Sequence, residues 1–308
     1  MIKQPAFFTT AIHKTEGDHL NLKLAELFGR GKTVFSFEVF PPKRNDSIET
    51  IYKTLDRLRF LDPDFISVTY GASGSLADNS TCEIASSIKR DYGIESAAHL
   101  TCVNSTRKEI DNMLERLQNS GIENIMALRG DLVPDITPKH DFEHASDLIS
   151  YIKSKDYDFG ISAACYPEGH PESDDQVEDI LNLKKKVDAG AEHLISQLFF
   201  DNQIFYDFVE KARIAGINVP IEAGIMPVVN SKQITRMVSL CGAGLPSKFT
   251  KMMQRYENKP EAMRDAGIAY ATNQIVDLLS HNVDGIHLYT MNNPYIARRI
   301  CENVKSLF

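Results

Sequence analysis

Short β-rich runs alternate with longer segments of helical period from one end of this chain to the other. This alternation is the pattern expected of βα units wound around a parallel sheet. Eight units without a break in composition predict one α/β domain over residues 1–308, folded as a (β/α)8 TIM barrel. The runs predicted as strands are residues 33–40, 65–70, 95–102, 124–129, 159–166, 193–200, 220–227 and 285–291.

The segments between the strands predict helices, and several of them end at a glycine. Examples are residues 48–60, 106–120, 175–189 and 204–215. Gly121, Gly190 and Gly216 each stand where a helix C-terminus favours a left-handed residue. Residues 246–256 and 260–280 predict a helical insertion before the eighth strand. Residues 1–30 predict an amphipathic N-terminal helix packed on the barrel, across its bottom.

Composition excludes several classes of protein. The 34 basic and 42 acidic residues give a formal charge of -8 with no long basic run, which argues against a nucleic-acid partner. No stretch approaches the roughly 20 apolar residues of a membrane span, and the first residues lack a signal-peptide core. We therefore expect a cytoplasmic protein. The five cysteines are scattered and never spaced as Cys-x-x-Cys, which predicts reduced, mostly buried thiols.

Glu38 is the most informative single residue, because it lies in the first predicted strand, which Pro41 and Pro42 then stop. Its neighbours predict a strand that is apolar on both faces, where an ionised carboxylate is costly unless it is paired. A Glu that stays protonated at the carboxyl end of a barrel strand can act as a general acid. The alternative, an ion pair with a nearby Lys or Arg, remains open from the sequence.

Polar side chains recur at the carboxyl ends of the other predicted strands, where barrels of this type place their active sites. Taken singly, each has an ordinary explanation as a buried polar group with one hydrogen-bond partner. Together they converge on one mouth of the barrel. They are Thr69 and Tyr70, His99 and Thr101, Arg129 to Asp131, Tyr166 to Glu172, Gln197, and Tyr289 to Asn292.

A series of motifs, in this order and spacing, resembles the methylenetetrahydrofolate reductase family in its bacterial form. The resemblance extends from about Lys32 to about Arg299. The motifs are FSFEVFPPK, SVTYGA, HLTC, ALRGD, YPEGHPE, NLKKKVDAGA, Gln197 followed by Leu-Phe-Phe-Asp, GIMPV and HLYTMN.

The resemblance implies a flavin-dependent barrel that reduces 5,10-methylenetetrahydrofolate to 5-methyltetrahydrofolate and supplies methyl groups for methionine. It implies non-covalent FAD as cofactor and NADH or NADPH as electron donor, with nicotinamide and folate using the flavin in turn. No Gly-x-Gly-x-x-Gly follows the first strand, which agrees with FAD being held by the barrel itself. The length predicts the short form, without the regulatory domain of eukaryotic relatives, and we expect a homo-oligomer.

The resemblance assigns chemical roles to a few residues. Glu38 is the general acid that opens the imidazolidine ring of the folate to an iminium ion. Asp131 is the carboxylate that stabilises the positive charge on that ion, although an Asp here could also be a helix N-cap. Gln197 resembles an amide that bonds the pterin and then the nicotinamide, since a carboxamide both donates and accepts. Thr69 resembles a nicotinamide contact, and Gln233 a folate contact.

The same resemblance places the FAD site along the mouth of the barrel. Arg129 and the pair Lys185 and Lys186 suit a diphosphate. Gly130 allows close approach of the backbone, and Asp179 can accept from ribose hydroxyls. The full set carried over is Tyr70, Ala72, His99, Arg129, Gly130, Asp131, Ala145, Tyr166, His170, Ser173, Asp179, Asn182, Lys185 and Lys186.

The chain departs from the family at two positions. Asn293 stands where the family often has an Arg that contacts the folate tail, and Arg298 or Arg299 would have to compensate. Met237 stands where a Phe stacks on the nicotinamide, and a thioether packs more loosely than a ring.

Two other signals carry no site. His140 and His144 have the spacing of a zinc pair on a helix, but no Glu follows the first and no third ligand is in view, so we expect no metal. The tripeptide Arg129-Gly130-Asp131 spells an adhesion motif, but it ends a predicted barrel strand.

Competing functions remain open from the sequence. One is another barrel oxidoreductase, or a lyase with a Schiff-base lysine, although no Lys stands at a predicted strand end. A different class is a flavin- or folate-binding subunit that depends on a partner for electrons. The sequence does not decide between NADH and NADPH.

Overall fold

The computed structural model describes residues 22–42, 47–70, 80–132, 137–230, 238 and 242–308. Eight strands in these ranges form one closed, all-parallel barrel, in which consecutive strands are neighbours and the last pairs with the first. This confirms the predicted TIM barrel. The strands are β1 (Val34–Val39), β2 (Phe65–Val68), β3 (Glu95–Thr101), β4 (Asn124–Leu128), β5 (Gly160–Cys165), β6 (His193–Ser196), β7 (Ile221–Ile225) and β8 (Gly285–Tyr289).

Helices follow every strand and cover the outside of the barrel. Between β7 and β8 the described residues contain two of them, α7 and α8, which confirms the predicted helical insertion. In the described ranges the α-helices are α1 (Glu49–Leu58), α2 (Ser80–Tyr92), α3 (Arg107–Asn119), α4 (Ala145–Lys153), α5 (Gln176–Asp188), α6 (Asn202–Ile214), α7 (Ser247–Tyr256), α8 (Pro260–Ser280) and α9 (Pro294–Val304).

Local signals explain where these helices begin and end. Thr106 caps α3 with its side chain, and Asp175 does the same for α5. Gly121, Gly190 and Gly216 have φ values of 71°, 119° and 79° just after α3, α5 and α6, as predicted. Short 3-10 helices occur at Leu24–Leu27, Arg59–Leu61 and Lys305–Leu307.

Every strand is shorter than predicted, by one to four residues, and β6 differs most. β6 ends at Ser196, whereas the apolar run continues to Phe200. The reason is that this run leaves the sheet: Phe199 stacks on Phe205 of α6 at 5.0 Å, and Phe200 stacks on Phe249 of α7 at 4.5 Å. An apolar run alone does not distinguish a buried strand from a loop packed under a helix.

The barrel has an outer and an inner core. Alternate side chains of the strands, such as Phe35, Phe37 and Val39, pack outward against the helices. At the bottom of the lumen an apolar layer is closed by the 3-10 helix Leu24–Leu27, the described part of the predicted N-terminal helix. Residues 1–21 of that prediction lie outside the described ranges. The layer contains Leu24, Leu27, Val34, Phe65, Ala97, Met126 and Ile195.

Candidate active site

The inward face of β1 carries Ser36 and Glu38. Ser36 Oγ donates to Glu222 Oε1 of β7 at 2.8 Å and lies 2.6 Å from the Nδ1 of His287, its register partner on the neighbouring strand β8. The expectation that β1 is apolar on both faces is therefore wrong. Only its outward face is apolar, because successive side chains point to opposite faces and the lumen above the bottom layer is polar.

Glu38 lies between two imidazole rings. Its Oε2 is 3.6 Å from His99 Nε2 and 3.7 Å from His287 Nε2, and the side chain is 19% exposed. Among the described residues no Lys or Arg nitrogen lies within ion-pair distance of this carboxyl group. The alternative of a structural ion pair with Lys or Arg therefore has no support in the part of the chain that the structure describes.

His99 is neutral at physiological pH. Burial lowers the pKa of its imidazole to about 4, against an opposing effect of Glu38, and Nε2 has no hydrogen-bond partner in the described ranges. The contact between His99 and Glu38 is thus not a salt bridge near neutral pH. Its length of 3.6 Å also exceeds that of a hydrogen bond.

A cleft of about 510 Å³ opens at the carboxyl end of the barrel, and His99 lines it. The cleft brings together most of the residues predicted to hold FAD, which come from the ends of β2 to β5 and from α4 and α5. Those that line it are Tyr70, His99, Arg129, Gly130, Asp131, Ala145, Tyr166, His170, Ser173, Asp179, Asn182, Lys185 and Lys186, and Thr69, the predicted nicotinamide contact, lines it as well. Ala72 lies outside the described residues.

Gly130 shows why the backbone at the end of β4 comes close to the cleft. Its φ of +87° is the left-handed region that favours glycine. A Cβ atom there would lie 3.0 Å from Thr101 Cβ and 3.3 Å from Thr101 Cγ2. The backbone conformation and the contact with Thr101 therefore favour glycine here, and the close approach of this backbone to a cofactor stays a prediction.

The charged groups of the cleft are partly paired with one another. Arg129 makes a two-pronged ion pair with Glu172, which raises the pKa of the guanidinium and lowers that of the carboxyl. Lys185 Nζ donates to Asn182 Oδ1 at 2.8 Å. Asp179 accepts from Ser173 Oγ at 3.3 Å, and burial raises the pKa of its carboxyl.

Lys186 differs from its neighbour Lys185. Its Nζ donates to the Ala164 carbonyl of β5 at 2.9 Å, and burial lowers the pKa of the ammonium group. The ammonium lies 5.8 Å from the centre of the Tyr166 ring. α5 thus brings a buried lysine to the cleft. The absence of Lys from the predicted strand ends therefore does not exclude a Schiff-base lysine, because this one comes from a helix.

Comparisons with known proteins decide the family. The model of the family described as methylenetetrahydrofolate reductase matches residues 23–305. A 5,10-methylenetetrahydrofolate reductase of Pectobacterium carotovorum is 39% identical over 95% of this chain and 96% of its own length. The chain belongs to the methylenetetrahydrofolate reductase family. It is therefore an enzyme of that family.

Two further comparisons agree with this membership. The chain is 40% identical to "Methylenetetrahydrofolate reductase (NADH) 1" of Arabidopsis thaliana, over 92% of the chain but only 50% of that protein. The chain thus spans about half the length of this plant relative. A Clostridium thermocellum protein described as binding two copies of 5-methyl-5,6,7,8-tetrahydrofolic acid shares the fold, with a TM-score of 0.64, 14% identity and coverage of 90% and 95%.

Three residues assigned to substrate are described, and each lies at the carboxyl end of the barrel with a different partner. Gln197 Oε1 accepts from the backbone N–H of Leu198 at 2.8 Å. Asn293 caps α9, where its side-chain oxygen accepts from Ile296 N at 3.3 Å. Thr69 lines the cleft, and its carbonyl accepts from Thr81 Oγ1 at 2.9 Å. Gln233 and Met237 lie outside the described residues.

Asp131 is exposed, at the rim of the cleft. The alternative role of a helix N-cap is wrong, because Leu132 is not helical and the next described helix, α4, begins after His144. The Asp131 carboxylate is therefore not held by the backbone N–H groups of a helix N-terminus, as the carboxylate of an N-cap would be. Its position is compatible with the predicted contact to ligand.

Other expectations concern metal, membrane and cysteines. Within the described ranges no cluster of three metal-ligating side chains occurs, and no helix is long and apolar enough to cross a membrane. His140 is exposed in a loop and His144 precedes α4, so the helical pair is not formed.

Burial raises the pKa of the Cys102 and Cys301 thiols to about 12. The buried free thiols described are Cys82, Cys102, Cys165 and Cys301.

The sequence interpretation missed three residues that the structure places beneath the site. They are Ser36, Glu222 and His287. Glu222 carried the clearest signal, a carboxylate in the middle of the run Pro-Ile-Glu-Ala-Gly-Ile, by the same logic that singled out Glu38. His287 stood inside a motif but had no partner that the sequence could name.

Proposed function

We propose that the protein reduces 5,10-methylenetetrahydrofolate to 5-methyltetrahydrofolate, with electrons from NADH or NADPH that pass through FAD. The single observation that supports this most is Glu38, a largely buried carboxyl group beside a cleft-lining histidine and without a cationic Lys or Arg partner in the described ranges. Family membership supplies the substrate, and the carboxyl supplies the acid that this substrate needs.

The cleft residues fit a flavin dinucleotide. Gly130 gives the backbone close access, and Arg129 and Lys185 provide positive charge for a diphosphate. Arg129 would exchange its ion pair with Glu172 for phosphate oxygens. Asp179 would accept from ribose hydroxyls. When bound, FAD would accept a hydride from the nicotinamide and deliver one to the folate.

Glu38 would act as the acid in the folate half-reaction. Its carboxyl group gives a proton to a nitrogen of the imidazolidine ring as the C–N bond breaks, which leaves Glu38 as a carboxylate and the folate as an iminium ion. Asp131, exposed at the rim, would stabilise the positive charge of that ion. The neutral state of His99 matters here, since an adjacent imidazolium would favour loss of the Glu38 proton too early.

The two substrates would occupy one site in turn. Gln197 has a side-chain amide that can donate to either ligand while its oxygen accepts from Leu198. Thr69, on the cleft wall, would contact the nicotinamide. The kinetics would then be ping-pong. We further propose that the product serves methionine synthesis in the cytoplasm and that the enzyme is a homo-oligomer.

A spectroscopic experiment tests this function. The purified chain should be yellow or take up FAD, lose its flavin absorbance with NADH or NADPH under anaerobic conditions, and regain it with methylenetetrahydrofolate. Initial-rate lines in double-reciprocal plots should be parallel. A protein that takes up no flavin would contradict the proposal.

Two alternatives give different results in the same experiment. A flavin-binding subunit that depends on a partner would bind FAD but would not be reduced by either nicotinamide. A Schiff-base lyase is favoured by one observation, the buried Lys186 with its lowered pKa. It would show no flavin chemistry, and borohydride would trap a carbonyl compound on that lysine.

A further inference from the structure

A chain of polar groups fills the lumen directly beneath Glu38. Ser36, Glu222 and His287 are all 0% exposed, and the reaction proposed above uses none of them. Ser36 Oγ lies 2.8 Å from Glu222 Oε1 and 2.6 Å from His287 Nδ1. Polar groups buried this deeply are costly unless they satisfy one another, so their arrangement needs an explanation.

The hydrogen atoms of these three side chains can be assigned from the geometry of their contacts. Ser36 has a single hydroxyl hydrogen, which it donates to the acceptor-only oxygen Oε1 of Glu222. Ser36 Oγ must therefore accept from His287, so the Nδ1 of His287 carries a proton. In the neutral ring Nε2 is then an acceptor, and this nitrogen lies 3.7 Å from Glu38 Oε2.

A second histidine lies at the other oxygen of Glu222. Glu222 Oε2 lies 3.1 Å from His193 Nε2, and both side chains are buried, with exposures of 0% and 1%. Neither of these two atoms makes a hydrogen bond within the described ranges. The hydrogen bond of the Glu222 carboxyl group in this part of the chain is therefore the one from Ser36 to Oε1.

We propose that Glu222 and Ser36 hold His287 in the tautomer whose acceptor nitrogen faces Glu38, so that His287 is a positioning residue for the Glu38 carboxyl group that gives its proton to the folate. An acceptor nitrogen attracts a carboxyl O–H and repels a carboxylate oxygen, so it orients that carboxyl group. This inference rests on the proposed function of Glu38 as an acid.

Of the other described groups that face these residues, Ser67 competes with Glu38 for the acceptor nitrogen of His287, and the others do not oppose the effect. From β3, His99 is neutral at physiological pH. From β2, Ser67 Oγ lies 3.5 Å from His287 Nε2 and can turn its hydroxyl hydrogen toward it. From β8, the ring of Tyr289 lies edge-on to His287 at 5.3 Å. No Lys or Arg among the described residues is within ion-pair distance of His287 or Glu222.

Ser36→Ala is the decisive variant, because it removes the link and leaves both Glu38 and His287 in place. His287 then becomes free to carry its proton on Nε2 and to pair with a Glu38 carboxylate. We expect Ser36→Ala to bind FAD and be reduced by nicotinamide as the wild type is. Its reoxidation by methylenetetrahydrofolate at pH 7.5 should be about tenfold slower, on the scale of one displaced proton-donor hydrogen bond. Its pH–rate profile for reoxidation should differ from that of the wild type.

Ser162→Ala is the matched control. Ser162 is also buried and its Oγ also bonds a histidine Nδ1, that of His193 at 2.9 Å, but it touches neither His287 nor Glu38. Its pH profile should coincide with that of the wild type. If Ser36→Ala also shows the wild-type profile, or if both variants move it equally, the proposal is overturned.

An NMR measurement tests the proposal without catalysis. With ¹⁵N-labelled histidine, the wild type should show His287 protonated on Nδ1 and not on Nε2, whereas Ser36→Ala should show a changed tautomer or charge. A wild type with Nε2 protonated at neutral pH would contradict the proposal. If methylenetetrahydrofolate did not reoxidise the reduced flavin of the wild type at all, the proposed function would be contradicted. The NMR result alone would then decide the role of Ser36 and Glu222.

Discussion

At the scale of single residues, the sequence revealed which groups are chemically unusual but not which groups they contact. Glu38 stood out because it interrupts an apolar run. Its neighbours His99 and His287 come from β3 and β8, and Ser36 meets His287 across a separation of 251 residues. The sequence predicted β1 to be apolar on both faces, which was wrong because the composition of the lumen depends on seven other strands. The polar surroundings of Glu38 therefore required the structure.

Glu38→Gln should separate the two half-reactions. Glutamine keeps the size of the side chain but has no acidic proton, so reduction by nicotinamide should stay within about twofold of the wild type. Reoxidation by methylenetetrahydrofolate should fall by about a hundredfold or more, the usual scale for a lost general acid. Stopped-flow absorbance measures both steps. Glu192→Gln, a surface change at the opposite end of the barrel, is the control, and a mutant with wild-type reoxidation would make Glu38 structural.

His99 should make the fold sensitive to acid. Burial lowers its pKa from 6.5 to about 4, so the unfolded chain binds this proton first as the pH falls. Stability is therefore lost between about pH 6.5 and pH 4, by up to about 3 kcal/mol at 1.36 kcal/mol per pKa unit. His99→Asn should lose less stability than the wild type over this range. Urea unfolding at pH 7 and pH 4.5 measures the difference, and equal losses would contradict the assignment.

At the scale of secondary-structure elements, the sequence predicted boundaries best where a local signal has a direct physical cause. α3 was predicted over residues 106–120 and is found at Arg107–Asn119, between a Thr cap and a glycine that turns left-handed. β6 was extended too far because Leu198 to Phe200 are apolar without being in the sheet. Tertiary packing against α7 decided that boundary, and no local pattern records it.

Thr106→Ala should weaken α3 without touching the site. Thr106 Oγ1 accepts from Glu109 N at 3.3 Å, and Glu109 Oε2 accepts from Thr106 N at 2.7 Å, which together form a capping box. The alanine variant should lose about 1 kcal/mol of unfolding free energy. Thr106→Ser should retain most of it, because it keeps the hydroxyl. Chemical denaturation measures both, and an alanine variant as stable as the serine variant would show that the box contributes little.

At the scale of the whole molecule, the barrel follows from repetition more than from any one element. Eight βα units in sequence leave few ways to arrange a parallel sheet, so the closed order was predictable. Closure itself depends on contacts that a sequence does not display. β6 and β7 share only two register pairs in the described residues. Ser196 reinforces the seam between β6, β7 and β8, since its Oγ accepts from Gly224 N at 2.9 Å and its carbonyl oxygen accepts from Tyr289 Oη at 2.7 Å.

Gly224→Ala should therefore disrupt the barrel. Its Cβ atom would lie 2.2 Å from the Ser196 carbonyl oxygen and 2.9 Å from the Tyr289 ring, so β6, β7 and β8 would have to separate. We expect a loss of more than about 3 kcal/mol or no soluble protein. Gly31→Ala is the control, since its Cβ meets nothing within 4 Å and only its φ of +79° is unfavourable, at about 1–2 kcal/mol. Thermal unfolding followed by circular dichroism compares the two, and a Gly224 variant as stable as the Gly31 variant would show that the seam tolerates separation.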